Sequence, residues 1–318
     1  MAKPKSRGVN EEDRHMIDRL NPAPVIGIIG LGNAGGAIAA AFAALAPVHG
    51  HDQNVERRNR AAANGVITHD DIGGVAMAAD VIILSLPHPD ISLAVTTQLL
   101  AAARKPPLII ETSTVTPQTA IDCAALCARH DVGFVDAAIA GGVASMASGE
   151  MTFFMGGDDA AKVIAKQVLE PVAAYIYDLG KIGAGMGIKV VNNAVMHALM
   201  VVLIEAFSMS KKLEVSSDTF ISILNREEGM LRPLVHRVQE RMKYADFDGG
   251  MSVTNARKDS CLALETAQQL GVPLFAISAS HTPYEIAEAN GLGEADYAAL
   301  SRLWEAWAKV IFKDAEKP

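Results

Sequence analysis

A chain of 318 residues has room for two domains of ordinary size, and half of its residues are hydrophobic, enough to bury a sizeable core. A net charge of −8 without a long basic run argues against nucleic acid as the main partner and reads chiefly as a solubilising surface. Three cysteines (Cys123, Cys127 and Cys261) are too few and too odd a number for a disulfide framework, and no Cys/His cluster has metal-ligand spacing. Reduced thiols, a cytoplasmic protein and no metal are therefore expected.

Residues 1–23 mix both charge signs, lack an apolar centre, and read as a polar arm, helical from Asn10 to Leu20, rather than a signal peptide. Order is expected from Pro24. The run Val25–Ile29 is short, apolar and β-branched, as a buried parallel strand should be. An Ala-rich helix, Gly36 to Leu45, follows the glycine-rich segment Gly30–Gly35. A strand fits Pro47–His51, and Arg57–Asn64 reads as helical. Further strands fit Val81–Leu86, Leu108–Glu111, Gly133–Ala137, Thr152–Met155 and Tyr175–Leu179. Strands thus alternate with helices to about Gly180, the pattern of an α/β Rossmann domain with a doubly wound parallel sheet.

Past Gly187 only long helical periodicities remain, so a NAD(P)-binding domain over 24–182 and an all-helical domain over 183–318 are expected. The apolar stretch Val190–Phe207 is interrupted by Asn192, Asn193, His197 and Glu205, which suits a buried interdomain helix better than a membrane span.

The motif Gly30-x-Gly32-x-x-Gly35 stands between a strand and a helix, the context its chemistry needs. Gly30 makes the tight turn, Gly32 lets the backbone approach a pyrophosphate, and Gly35 lets helix and strand pack closely. Free N–H groups of Leu31, Asn33 and Ala34 at the helix start then face the anion. Asp52, 17 residues past Gly35 and followed by Gln53, suits the ribose hydroxyls of NAD and opposes a 2′-phosphate. Arg57 and Arg58 are a competing signal for NADP, or a solvated helix face. NAD is the expected cofactor, with NADP as the alternative.

The long helix opens with Gly183-x-Gly185-x-x-x-Lys189-x-x-Asn192-Asn193. Lys189 and Asn193 are four apart and share a face, expected at the domain junction. A helix N-terminus and partial burial both lower a lysine pKa, which suits a proton donor near neutral pH. His197 lies on the same general face and is given no role.

These motifs, in this order, resemble a β-hydroxyacid dehydrogenase of the 3-hydroxyisobutyrate dehydrogenase type. The resemblance runs from Val25 to Trp307. It rests on Gly27–Gly35, Leu84–Pro87, Glu111–Thr114 with Pro117, Asp136–Gly142, Glu150–Thr152 with Gly156–Gly157, Lys189 with Asn193, and Lys258–Asp259. It implies hydride transfer between a substrate carbinol carbon and nicotinamide C4, with Lys189 exchanging the hydroxyl proton and Asn193 orienting substrate and lysine. It further implies cofactor contacts from Leu86, Pro87, Thr114 and Lys258, substrate contacts from Ala140, Gly141 and Gly142, and a homodimer or homotetramer. Family members usually carry serine where this chain has Ala140. That loss removes a hydroxyl from the expected carboxylate site, and Arg232 is a candidate replacement. Competing readings are an imine-reducing relative, which typically lacks the lysine; a sugar-acid phosphate dehydrogenase, which wants a basic cluster and a longer second domain; and a non-catalytic nucleotide-binding scaffold.

Overall fold

A computed structural model describes residues 24–314. The polar arm expected over residues 1–23 lies outside the described residues. The described residues divide into two compact units, with the boundary between Asn193 and Ala194.

The first unit is built on an eight-stranded sheet in the order β3-β2-β1-β4-β5-β6-β7-β8. Its strands are β1 (Ile26–Ile29), β2 (Val48–His51), β3 (Ile67–Thr68), β4 (Val81–Leu84), β5 (Leu108–Glu111), β6 (Gly133–Ala140), β7 (Met151–Gly157) and β8 (Ala173–Asp178). All neighbours pair in parallel except β6 and β7, which run antiparallel. The helices are α1 (Asn33–Ala43), α2 (Val55–Ala63), α3 (Ile72–Ala78), α4 (Pro89–Ala101), α5 (Pro117–Ala128), α6 (Val143–Ala147), α7 (Asp159–Leu169) and α8 (Ala184–Lys212).

The central strands read as unbroken apolar runs because both faces are covered. Ile28, Ile83, Ile110 and Val135 enter the core on one face, and Ile29, Ile82, Ile109 and Phe134 enter the core on the other. The two-residue strand β3 has no counterpart among the expected strands. Its residues are an exposed isoleucine and a threonine at the sheet edge, too short a run to give a period-2 signal. Strands β6 and β7 extend beyond their expected ends.

The helix starts follow ordinary capping chemistry. Asn54 accepts N–H groups of Glu56 and Arg57 at the start of α2, Asp71 caps α3, and Thr116 caps α5, which has proline in its first turn. The helix α1 differs: Gly32 provides no side-chain cap, and no acidic residue stands in the first turn.

The second unit contains the remainder of α8 and α9 (Ser217–Asn225), α10 (Val253–Leu270), α11 (Ala276–Ala287) and α12 (Ser301–Ala308). Its only backbone bridge of β type among the described residues joins Ser252 and Asp296. Two buried carboxylates organise it. Glu205 accepts the N–H groups of Phe275, Ala276 and Ile277 at 2.6–3.0 Å, capping α11. Burial pushes its pKa up, the three N–H groups pull it down, and the net direction is down. Asp296, wholly buried, faces Arg237 and Arg241 and also accepts from the N–H of Ala298.

The helix α8 corrects one expectation. Its interrupted apolar run suits a buried interdomain helix, yet Val191, Val195, Met200 and Ile204 are each more than half exposed. It is also the one described helix long and apolar enough, by length and composition, to cross a membrane. An apolar period of 3.6 residues records that a face avoids water. It does not record which surface covers that face.

Candidate active site

In an open parallel sheet a ligand crevice forms where the strand order reverses, here at the carboxyl ends of β1 and β4. A cavity of about 650 Å³ opens at that point. Gly30 begins it with φ +94°, and a Cβ there would stand 2.1 Å from the carbonyl oxygen of Ser85. A Cβ on Gly35 would stand 1.9 Å from the carbonyl oxygen of Gly30, so α1 lies against the loop as closely as backbone allows.

Nine of the expected cofactor residues line this cavity together: Gly30, Gly32, Asn33, Ala34, Gly35, Asp52, Gln53, Leu86 and Pro87. Leu31 does not. Its side chain is buried in the core, and its N–H donates to Asp52 Oδ2 at 2.8 Å. Thr114 is exposed and also lies outside the lining. The turn it belongs to instead holds the wall: Thr112 Oγ1 donates to the Leu84 carbonyl at 2.6 Å, and Ser113 Oγ accepts from the N–H of Leu86 at 2.7 Å. Glu111, fully buried, accepts from the N–H of Ser113 at 2.8 Å, and burial raises its pKa. Lys258 stands on α10 of the second unit, exposed and paired with Asp259 at 2.9 Å. Sequence reasoning missed His51 and the α4 side chains Asp90, Ile91, Ala94 and Gln98. The signal for α4 was present in Pro89-Asp90 after His88, which accepts from the N–H of Asp90.

Asp52 has partners within the protein itself. It is 8% exposed, its Oδ2 takes the Leu31 N–H, and its Oδ1 takes the Asn54 N–H at 2.9 Å. The carboxylate therefore ties the glycine loop to the turn after β2. Arg57 Nη1 lies 3.4 Å from Oδ2, and Arg58 Nη1 donates to the Asp52 carbonyl at 2.8 Å.

Lys189 and Asn193 lie on α8, both half-buried, one turn apart. Burial pushes the Lys189 pKa below the ordinary lysine value, and the ammonium has no hydrogen-bond or ion-pair partner among the described residues. The start of α8 is pinned by a residue whose role the sequence left open. Asp136 on β6 is completely buried, and its two oxygens accept the N–H groups of Gly183 and Met186, each at 2.8 Å. A Cβ on Gly185 would meet the Phe154 carbonyl at 2.2 Å and Asp136 Oδ2 at 2.8 Å, so only glycine lets the helix start this close to the sheet. The same strand β6 ends at Ala140, which is partly exposed, followed by the exposed Gly141 (φ +126°) and Gly142. His197 is exposed. Arg232 is about half exposed and faces Glu227 at 3.7 Å.

A glycine loop at the switch point of a parallel sheet, with a cavity of this size, defines a dinucleotide-binding domain. The family models agree. One described as the NAD binding domain of 6-phosphogluconate dehydrogenase matches residues 25–183, and one described as NAD-binding of NADP-dependent 3-hydroxyisobutyrate dehydrogenase matches residues 183–304. A probable 3-hydroxyisobutyrate dehydrogenase of Mycobacterium tuberculosis is 31% identical over 77% of this chain and 86% of its own length. The 2-(hydroxymethyl)glutarate dehydrogenase of Eubacterium barkeri is 29% identical over 74% of this chain and 79% of its own. An imine reductase from Pseudomonas sp. shares the fold at a TM-score of 0.80, with 20% identity over 88% of this chain and 98% of its own. The chain belongs to the β-hydroxyacid dehydrogenase family and is an NAD(P)-dependent oxidoreductase acting on CH–OH groups.

Proposed function

We propose that this protein transfers a hydride between NAD(P) and a 3-hydroxy acid of the 3-hydroxyisobutyrate type, or the corresponding semialdehyde, with Lys189 as the proton-exchanging group. The observation that carries this is Lys189 itself. It is half-buried, unpaired, lowered in pKa, and set on a helix anchored to β6 by Asp136. The names of the two curated relatives, both dehydrogenases of branched hydroxy acids, support the substrate class. Bound NAD(P) would supply the hydride acceptor or donor; in oxidation the neutral amine of Lys189 takes the substrate hydroxyl proton, and in reduction the ammonium returns it and stabilises the developing alkoxide. Asn193 orients substrate and lysine, Gly141 and Gly142 offer backbone N–H groups to the substrate carboxylate, and Lys258 reaches the cofactor. The segment 183–318 serves as substrate and oligomerisation domain. The exposed apolar face of α8 supports a homodimer or homotetramer, and free thiols at Cys123, Cys127 and Cys261 support a reducing, cytoplasmic setting.

Reduction of NAD and NADP, read by nicotinamide absorbance across a panel from small 3-hydroxy acids to alcohols without a carboxylate, tests the reading. Turnover of 3-hydroxy acids is expected; turnover only of non-acid alcohols would discard the hydroxy acid. Ala140→Ser restores a hydroxyl at the expected carboxylate site, and a hydrogen bond to a charged group contributes about 1.5–3 kcal/mol. The variant is therefore expected to improve kcat/KM for 3-hydroxyisobutyrate about tenfold or more. An unchanged or lower value would mean that the pocket is shaped for a bulkier or less polar substrate, the imine-reductase-like alternative that Ala140 favours.

A further inference from the structure

Glu111 is a buried acid that neither the expected cofactor contacts nor the proton transfer uses. It closes β5, wholly buried, two residues after Ile109, so its side chain points into the layer that Leu84, Val95, Leu99 and Cys123 fill. Its Oε1 accepts the N–H of Ser113 at 2.8 Å, and the Ser113 hydroxyl accepts the N–H of Leu86 at 2.7 Å. Leu86 lines the cofactor cavity, so two hydrogen bonds lead from the buried acid to the cavity wall. A second wall reaches the same group. Helix α4 lines the cavity with Ile91, Ala94 and Gln98, while its Ser92 is wholly buried and stands beside Glu111.

No cation among the described residues meets this carboxyl. The titratable groups beside it are Asp136, its register partner on β6, and the Cys123 thiol on α5, which burial pushes up to about 11. Burial raises the pKa of both acids. Asp136 accepts the N–H groups of Gly183 and Met186, whereas Glu111 accepts only that of Ser113. Of two adjacent buried acids, the one with fewer donors keeps its proton. Glu111 Oε2 and Ser92 Oγ are both buried without a hydrogen-bond partner, and a proton on Oε2 supplies the donor this pair lacks.

We infer that Glu111 is a positioning residue for the cofactor: through Ser113 it sets the Leu86 wall of the cavity, and beside Ser92 it sets that wall against α4. It works as a neutral acid, accepting at Oε1 and donating from Oε2. The inference rests on cofactor binding by the first unit and not on the substrate or on Lys189.

Two measurements test it without turnover, each made well below the variant's melting temperature. One is NADH binding to the full chain, followed by nicotinamide fluorescence. The other is amide hydrogen exchange at Leu86 in the cofactor-free chain. Glu111→Met keeps the layer filled with an apolar side chain of similar size but removes the acceptor for Ser113. It should weaken NADH about tenfold and speed Leu86 exchange about tenfold or more. Glu111→Gln keeps an acceptor and a donor without charge and should recover most of both losses. Ser113→Ala should resemble Glu111→Met, and the double variant should lose no more than about twofold beyond the worse single variant, because both break one chain of bonds. Wild-type NADH binding and Leu86 exchange in Glu111→Met, whatever its melting temperature, would make Glu111 a core-filling group and overturn the inference. Losses that multiply in the double variant, or a Glu111→Gln protein as weak as Glu111→Met, would overturn it as well.

Discussion

Replacement of Lys189 by alanine is expected to lower kcat by about 10²–10⁴-fold, the usual worth of a positioned general acid or base, with cofactor Kd within about twofold of wild type. The half-buried ammonium has no partner to lose, so the variant should fold with an unchanged melting temperature. The pH dependence carries the sign. Burial lowers the Lys189 pKa, so the neutral amine appears at lower pH than for an ordinary lysine. Oxidation needs that neutral form, and its rate should rise as pH passes upward through the Lys189 pKa. Reduction needs the ammonium, and its rate should fall over the same interval. Both limbs should disappear in Lys189→Ala. Full activity of that variant, or retention of the limbs, would remove Lys189 from the mechanism and leave the cofactor site standing.

Gly30→Ala should damage both cofactor binding and stability. At φ +94° an L side chain is strained by about 1–2 kcal/mol. The new Cβ would also stand 2.1 Å from the Ser85 carbonyl oxygen, a backbone atom that cannot swing aside. Overpacking of that kind typically costs about 1–3 kcal/mol. Relief requires β1 and β4 to separate at the point where the cavity opens. A fall in melting temperature of about 4 °C or more is expected, given roughly 2–4 °C per kcal/mol in a domain of this size. Cofactor affinity should fall about tenfold or more, since misplacing the loop costs the backbone contacts to pyrophosphate together. Near-wild-type affinity and melting temperature would show that the loop relaxes freely and is not set by this contact.

The two variants probe different levels of the molecule, and the sequence spoke unequally about them. The run Val25–Ile29, the spacing of Gly30, Gly32 and Gly35, and Asp52 at the end of the next strand were legible because local rules generate them. A strand buried on both faces must be apolar throughout, and a turn at φ +94° against a carbonyl must be glycine. The pair Lys189 and Asn193 was legible for the same reason, since helix geometry alone puts residues four apart on one face.

Long-range partners were not legible. Asp136 and Gly183 are 47 residues apart, and nothing in either segment says that one caps the other. The sequence suits Asp52 to ribose hydroxyls, whereas its bonds to Leu31 and Asn54, which tie loop to turn, have no local signal. The apolar face of α8 was expected in the core and is exposed instead. Sequence alone determined the fold class, the cofactor loop and the lysine on its helix, because periodicity, turn chemistry and spacing act within a few residues. Tertiary structure alone decided which buried carboxylate anchors which helix and which apolar face the single chain leaves uncovered, because those depend on atoms brought together from distant parts of the chain.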